Sequence, residues 1–145
     1  GKGGIRTMIA KNDFLERLNA FINSLDLPIT SRMDYLDEDE SLVVYPLAGG
    51  KINKIYMDEA RDVSLPFEIA VKTKDHEKAN TCLWAVNEAL SDLFVDIPSA
   101  NGSYAFENLE VAMPFLNERD EQGYYIYLQD IQANITVFQP KKERN

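Results

Sequence analysis

Between Ser64 and Thr73 apolar and polar side chains alternate. Leu65, Phe67, Ile69 and Val71 share one face and Ser64, Glu68 and Lys72 the other, a period of two that predicts a half-buried strand. The alternation stops at Lys74-Asp75-His76-Glu77, where Asp75 can accept from the free N–H groups of a new helix and Glu77 suits its dipole. Ala79, Leu83, Val86, Leu90 and Leu93 then recur at helical spacing, with Cys82 and Ala89 on the flank. This pattern predicts an amphipathic helix of about 18 residues, roughly 27 Å long. A strand running straight into such a helix predicts a helix lying on a sheet.

The other elements follow from the same two periods. Met8 to Leu25 reads as a first amphipathic helix, with Leu15, Leu18, Ile22 and Leu25 on one face and Phe14 and Phe21 beside them. Asp13 and Glu16 stand at capping-box spacing, and Leu27-Pro28 ends the helix. Ser31 to Glu40 reads as a polar loop, Leu42 to Leu47 as a strand, Gly49-Gly50 as a turn and Lys51 to Met57 as a second strand. Asp58 to Asp62 reads as a hairpin tip or a mobile loop. After the second helix come a turn at Asp96–Gly102, an alternating strand through Leu109, Val111, Met113 and Phe115, and a charged connection over Asn117–Gly123. A long final strand runs from Tyr124 to Phe138, apolar on both faces near its start and on one face further down. The expected fold is α+β: a mainly antiparallel sheet with two amphipathic helices on one face. Residues 1–7 read as an added remnant, 8–139 as one domain and 140–145 as a charged tail.

Charge narrows the partners. The net charge of −9 deepens once Lys2 and Arg6 are set aside. Phosphate binding needs Lys and Arg, so an acidic chain is a poor fit for gripping nucleic acid, with sequence preference or without. The longest apolar run, Leu42 to Ala48, is too short to span a bilayer. The single cysteine allows no intrachain disulfide.

Catalytic chemistry is thin. The one histidine, His76, sits in the first turn of a helix between Asp75 and Glu77 and reads as structural or solvated. Cys82 falls on a buried flank, where a thiol is inert. Asp37-Glu-Asp-Glu40 lacks the glycine and distal glutamate of a calcium loop, and reads as a solvated run. No cofactor, metal or catalytic residue is expected, and an enzyme is not.

Trp84 is the more informative residue. It points about 160° away from the apolar stripe of its helix, on a face shared with Asn80 and Glu88. Tryptophan on a polar face calls for a cover, either a subunit or partner interface or a local loop. Pro66 and Pro114 each fall inside a strand pattern, which confines them to edges, ends or bulges; such edges suit subunit contacts or simple edge protection.

The run Leu65-Pro-Phe-Glu-Ile-Ala-Val-Lys-Thr-Lys-Asp-His-Glu-Lys-Ala79 leading into Asn87-Glu-Ala-Leu90, with Phe14-Leu-Glu-Arg-Leu18 before it and Tyr124 to Val137 after, resembles the minor capsid and tail-terminator proteins of long-tailed bacteriophages. The likeness is one of layout and texture and extends over Met8 to Gln139. It implies a virion protein, made in the host bacterial cytoplasm, that catalyses nothing. It also implies a homo-oligomeric ring, typically a hexamer, that caps the finished tail tube and meets the head-completion or connector protein. The genome would pass through its hole, and an acidic wall would let DNA slide. Asp58, Glu59, Arg61 and Asp62, or Glu118, Arg119, Asp120 and Glu121, are the candidate lumen or docking loops. The alternative is a cytosolic α+β adaptor or ligand-binding domain with no phage connection.

Overall fold

Two long strands form the spine, β4 (Arg61–Thr73) and β7 (Tyr125–Val137), paired antiparallel along their whole length. Each carries two short strands in series on its outer side. β2 (Ser41–Pro46) and β3 (Lys51–Ile55) both pair with β4; β5 (Tyr104–Val111) and β6 (Phe115–Arg119) both pair with β7. β1 (Ser31–Met33) joins the far side of β2 in parallel, which completes a mixed, mostly antiparallel sheet of seven strands. The computed structural model describes residues 11–138. The expected remnant at 1–7, the first residues 8–10 of the expected helix, and Gln139 with the charged tail lie outside the described residues.

α1 (Phe14–Asn23) and α2 (His76–Leu90) cover one face of this sheet, as the alternation predicted. Phe14, Leu18 and Ile22, spaced four apart, and Ala79, Leu83, Val86 and Leu90 pack with Leu42, Val44, Phe67, Ile69, Val71, Ile131, Ala133 and Ile135 in one core. Phe14 lies between Phe67 and Tyr104, with ring centroids 5.3 and 5.4 Å away. Asp75 caps α2 as expected, its Oδ1 accepting from the N–H groups of Glu77 and Lys78 at 3.0 and 3.2 Å.

Several expectations need correction. α2 ends at Leu90, and Leu93 is exposed. Asp92 Oδ1 accepts from Phe94 N–H at 2.7 Å, a local turn that competes with another helical turn. Asp13 does not cap α1. Asn12 Oδ1 takes the Phe14 N–H at 2.9 Å, and the Asp13 carboxylate reaches across the fold to the Ser99–Ser103 turn. The Ser31–Glu40 loop contains β1. The single strand expected through Leu109 and Phe115 is two strands, β5 beginning earlier at Tyr104 and β6 following a break at Ala112–Pro114. Arg61 and Asp62 belong to β4, and Glu118 and Arg119 to β6, so the loops they were assigned to are shorter.

Pro66 marks an interruption beside a central strand, and Pro114 a break along the edge that β5 and β6 form. Pro66 lies inside the central strand β4, opposite the Leu47–Gly50 gap between β2 and β3. Its carbonyl accepts from Leu47 N–H at 2.9 Å, so its missing donor faces the gap and costs no ladder bond. Gly49 holds φ +106°, which favours glycine there, and a Cβ on Gly50 would press on the Leu65 side chain at 3.3 Å. Pro114 lies in the matching break beside β7, where Ala112 N–H donates to Asp130 O at 2.9 Å.

Candidate functional site

The sheet face away from the helices is where the chain departs from a plain two-layer domain. Near the start of β7 it is apolar. Val43, Ala70 and Ile126 are buried there, and Tyr35 of the β1–β2 connection packs at a tilt against Tyr45 of β2, ring centroids 4.9 Å apart. Lys72 ties that connection down by donating to Asp37 O at 3.0 Å. Further along, the face is a polar network. Ser64 Oγ donates to Asn134 Oδ1 at 2.7 Å and receives Asn53 Nδ2 at 2.7 Å. Asn134 Nδ2 donates to Asn108 Oδ1 and Glu110 Oε2 at 2.7 and 3.0 Å, and Gln132 Nε2 reaches the same Glu110 oxygen at 2.8 Å. These side chains cross four strands, β3, β4, β7 and β5.

Carboxylates are set into that network. Glu68 and Asp130 stand directly opposite each other on β4 and β7. Burial raises the Glu68 carboxyl above its ordinary range, and its hydrogen bond with Asp130 adds to the rise, while the Tyr45 hydroxyl, donating to Oε1 at 2.5 Å, opposes it. Asp62 is held below the ordinary range by the hydroxyls of Thr136 and Tyr56, each 2.7 Å from it. Glu107 Oε2 lies 3.0 Å from the same Thr136 hydroxyl and competes with Asp62 for its one hydrogen. A groove of about 410 Å³ crosses the face from Leu47 and Pro66 at one break to Ala112 at the other, with Glu110, Asp130 and Gln132 along it.

The two candidate loops are not brought together. Asp58, Glu59, Arg61 and Asp62 lie at the start of β4; Glu118, Arg119, Asp120 and Glu121 lie at the start of β7, the full β4–β7 ladder away, roughly 40 Å. The first is a tight hairpin tip. Glu59 N–H donates to Tyr56 O at 2.9 Å, Ala60 N–H to Asp58 Oδ1 at 3.0 Å, and Glu59 adopts φ 71°. In the second, Asp120 accepts from the N–H groups of Gln122 and Tyr124, both at 2.9 Å, and lies 3.7 Å from Lys72 Nζ. Trp84 is 53% exposed on the outer side of α2, with Asn80 and Glu88 one turn to either side.

Among the described residues there is no group of three or more His, Cys, Asp or Glu placed to hold a metal ion. His76 Nδ1 lies 2.8 Å from the Tyr127 hydroxyl. The Cys82 thiol is buried, which pushes its pKa up. No helix among the described residues is long and apolar enough to cross a membrane.

The open-face network was missed at the level of pairs. Its signals in the chain were two runs of polar alternates, Ser64, Glu68 and Lys72 on one strand and Gln132, Asn134 and Thr136 on another; which side chains meet across β3, β4, β7 and β5 depends on register.

No curated protein matches the chain in sequence. The sequence profile of a family described as bacteriophage tail terminator protein matches residues 17–137, from within α1 to the last residue of β7, and so takes in every strand and α2. On that match the chain belongs to the bacteriophage tail terminator family, whose members are structural proteins of the virion.

Proposed function

We propose that this protein closes the phage tail tube as a ring of identical subunits, a hexamer, with the tube protein on one side and the head-completion or connector protein on the other. The supporting observation is the open sheet face. Among the described residues no helix covers it, its polar part is held in order by its own hydrogen bonds, and it presents Asp62, Glu68, Glu107, Glu110 and Asp130. A wall that DNA must pass without sticking needs fixed charge of the same sign as phosphate. In this reading the open face and the adjoining Asp58–Asp62 hairpin line the lumen. Glu118, Arg119, Asp120 and Glu121, at the other end of the ladder, meet one of the two axial partners. Trp84 with Asn80 and Glu88 faces away from the channel and serves as a partner contact.

The test is electron microscopy of the protein alone and mixed with purified tail tubes lacking it. Six-fold rings with a hole wide enough for duplex DNA, on tube ends or free, are expected. Trp84→Ala should weaken capping of tubes while leaving the fold intact by circular dichroism. Absence of any ring in either sample, with the protein folded, overturns the reading.

A further inference from the structure

A head-to-tail contact needs two different surfaces on one chain that fit each other. The described residues hold such a pair, at opposite edges of the sheet and at the same end of it. β3 pairs with Arg61–Ser64 of β4, those residues pair with Asn134–Val137 of β7, and these pair with the Tyr104–Asn108 part of β5. The order across this end is therefore β3-β4-β7-β5, and among the described residues β3 and β5 pair on their inner sides only.

The two edges differ in charge. β3 carries Lys51 and Lys54. From Ala79 to Glu118 the chain has no Lys, Arg or His, while Glu88, Asp92, Asp96, Glu107, Glu110 and Glu118 all fall in that stretch. They also match in shape. Beside β5 a groove of about 410 Å³ runs between that strand and the end of α2, with Leu90, Val95 and Leu109 in its lining and Asp92 and Glu107 among its polar groups. On β3, Ile52 and Ile55 are 50% and 58% exposed. Lysines alone would be ordinary protection of an edge strand; two bare isoleucines on the same strand are the reverse of protection.

Register decides which side each residue would take. Ile52 lies opposite Val63, and Ile55 opposite Arg61, on the side of the sheet that bears the helices; Lys51 and Lys54 lie opposite Ser64 and Asp62 on the open side. On β5, Leu109 is on the helix side with Ala133, and Glu110 on the open side with Gln132. β3 runs antiparallel to β4, β4 to β7 and β7 to β5, so β3 and β5 point in opposite directions. A second copy placed beside the first in the same orientation would thus bring its β3 antiparallel to the first copy's β5. Staggered about two residues along the strand, as neighbouring strands of a closed sheet are, its isoleucines would enter the groove and its lysines would meet Glu107 and Glu110.

We infer that β3 of one copy adds to the free edge of β5 of the next, so that the sheet continues from subunit to subunit. The inference rests on the ring reading and gives that ring its lateral contact. It is a heterologous contact, which closes when the rotation per subunit divides a full turn.

Two charge-reversed variants test it. One carries Lys51→Glu with Lys54→Glu, the other Glu107→Lys with Glu110→Lys. Each alone would set like charges together at every contact and should assemble roughly tenfold less well or worse, read by light scattering and imaging on tube ends. Mixed in equal amounts, they should assemble again in alternation, because each new contact pairs opposite charges. Zero-length carbodiimide cross-linking of the native protein, with isotope-labelled and unlabelled copies mixed, should join β3 lysines to β5 glutamates between copies. Rings formed by the Lys51→Glu/Lys54→Glu variant as readily as by the native chain would overturn the β3–β5 contact and leave the ring standing. So would a mixture that stays dissociated although both variants are folded by circular dichroism. A native protein that forms no ring and gives no intermolecular β3–β5 cross-link would overturn both.

Discussion

On the helix side of the β4–β7 ladder, Phe67, Ile69, Ile131 and Ile135 are buried beneath Phe14, Leu18 and Leu83. One residue along, on the open side, Glu68, Gln132 and Asn134 stay partly exposed and bond to their neighbours, with Asp130 opposite Glu68. The same two strands supply both sets. Apolar burial is non-directional and holds only under a cover, so the helix side had to be closed by α1 and α2. Hydrogen bonds between side chains fix geometry without a cover, so the open side stays ordered while bare. A bare apolar face of this size would invite other copies to stick face to face. The polar network removes that hazard from the face.

Removing a side chain from each side should separate the two designs. Ile69→Ala deletes a fully buried side chain at the centre of the core and should lower unfolding free energy by about 2–5 kcal/mol, read as a fall in the urea midpoint. Asn134→Ala removes the hub of the open-face network, but its partners can turn to water. The expected cost is about 1 kcal/mol. Equal losses in the two variants would mean that the open face is a second core, and the contrast would fail.

The helix side was legible in the chain because burial writes itself into periodicity. Leu65–Val71 at period two and Ala79–Leu90 at helical spacing each identify their own face without reference to anything distant. The family resemblance, drawn from the same stretches, agrees with the family match. What was illegible depends on partners far along the chain. Asp13 looked like a helix cap because Glu16 stands three residues on; its partners are Ser99, Ala100, Asn101 and Ser103, which no local rule connects to it. Pro66 read as an edge marker because proline is excluded from continuous ladders, and a gap inside a central strand's flank is a tertiary fact. β1 escaped because three residues, Ser31–Met33, are too few to show a period.

The finest test of the contrast uses pH, because the open side holds a carboxyl whose shift runs against the others. Asp13 is pushed upward by burial but pulled further down by its bonds to Ser99, Ala100, Ser103 and Asn101, so its contribution is present at neutral pH and lost as pH falls through its lowered pKa. Glu68 is the opposite case. Its raised pKa means that, between the ordinary glutamate value and the raised one, the folded chain holds more protons than the unfolded chain. Stability therefore falls as pH rises through that window, and the penalty stays in full above it. Glu68→Gln keeps an acceptor for the Tyr45 hydroxyl and removes the charge facing Asp130. It should stabilise the protein by roughly 0.2–1 kcal/mol near neutral pH, the usual size of a cross-strand like-charge term. Urea midpoints of the variant and the native chain, taken side by side from acid to neutral pH, cancel Asp13 and the other carboxyls common to both. The difference should vanish below the ordinary glutamate pKa and grow above it. A difference independent of pH would mean that the fold does not raise the Glu68 carboxyl, and the contrast with Asp13 would fail.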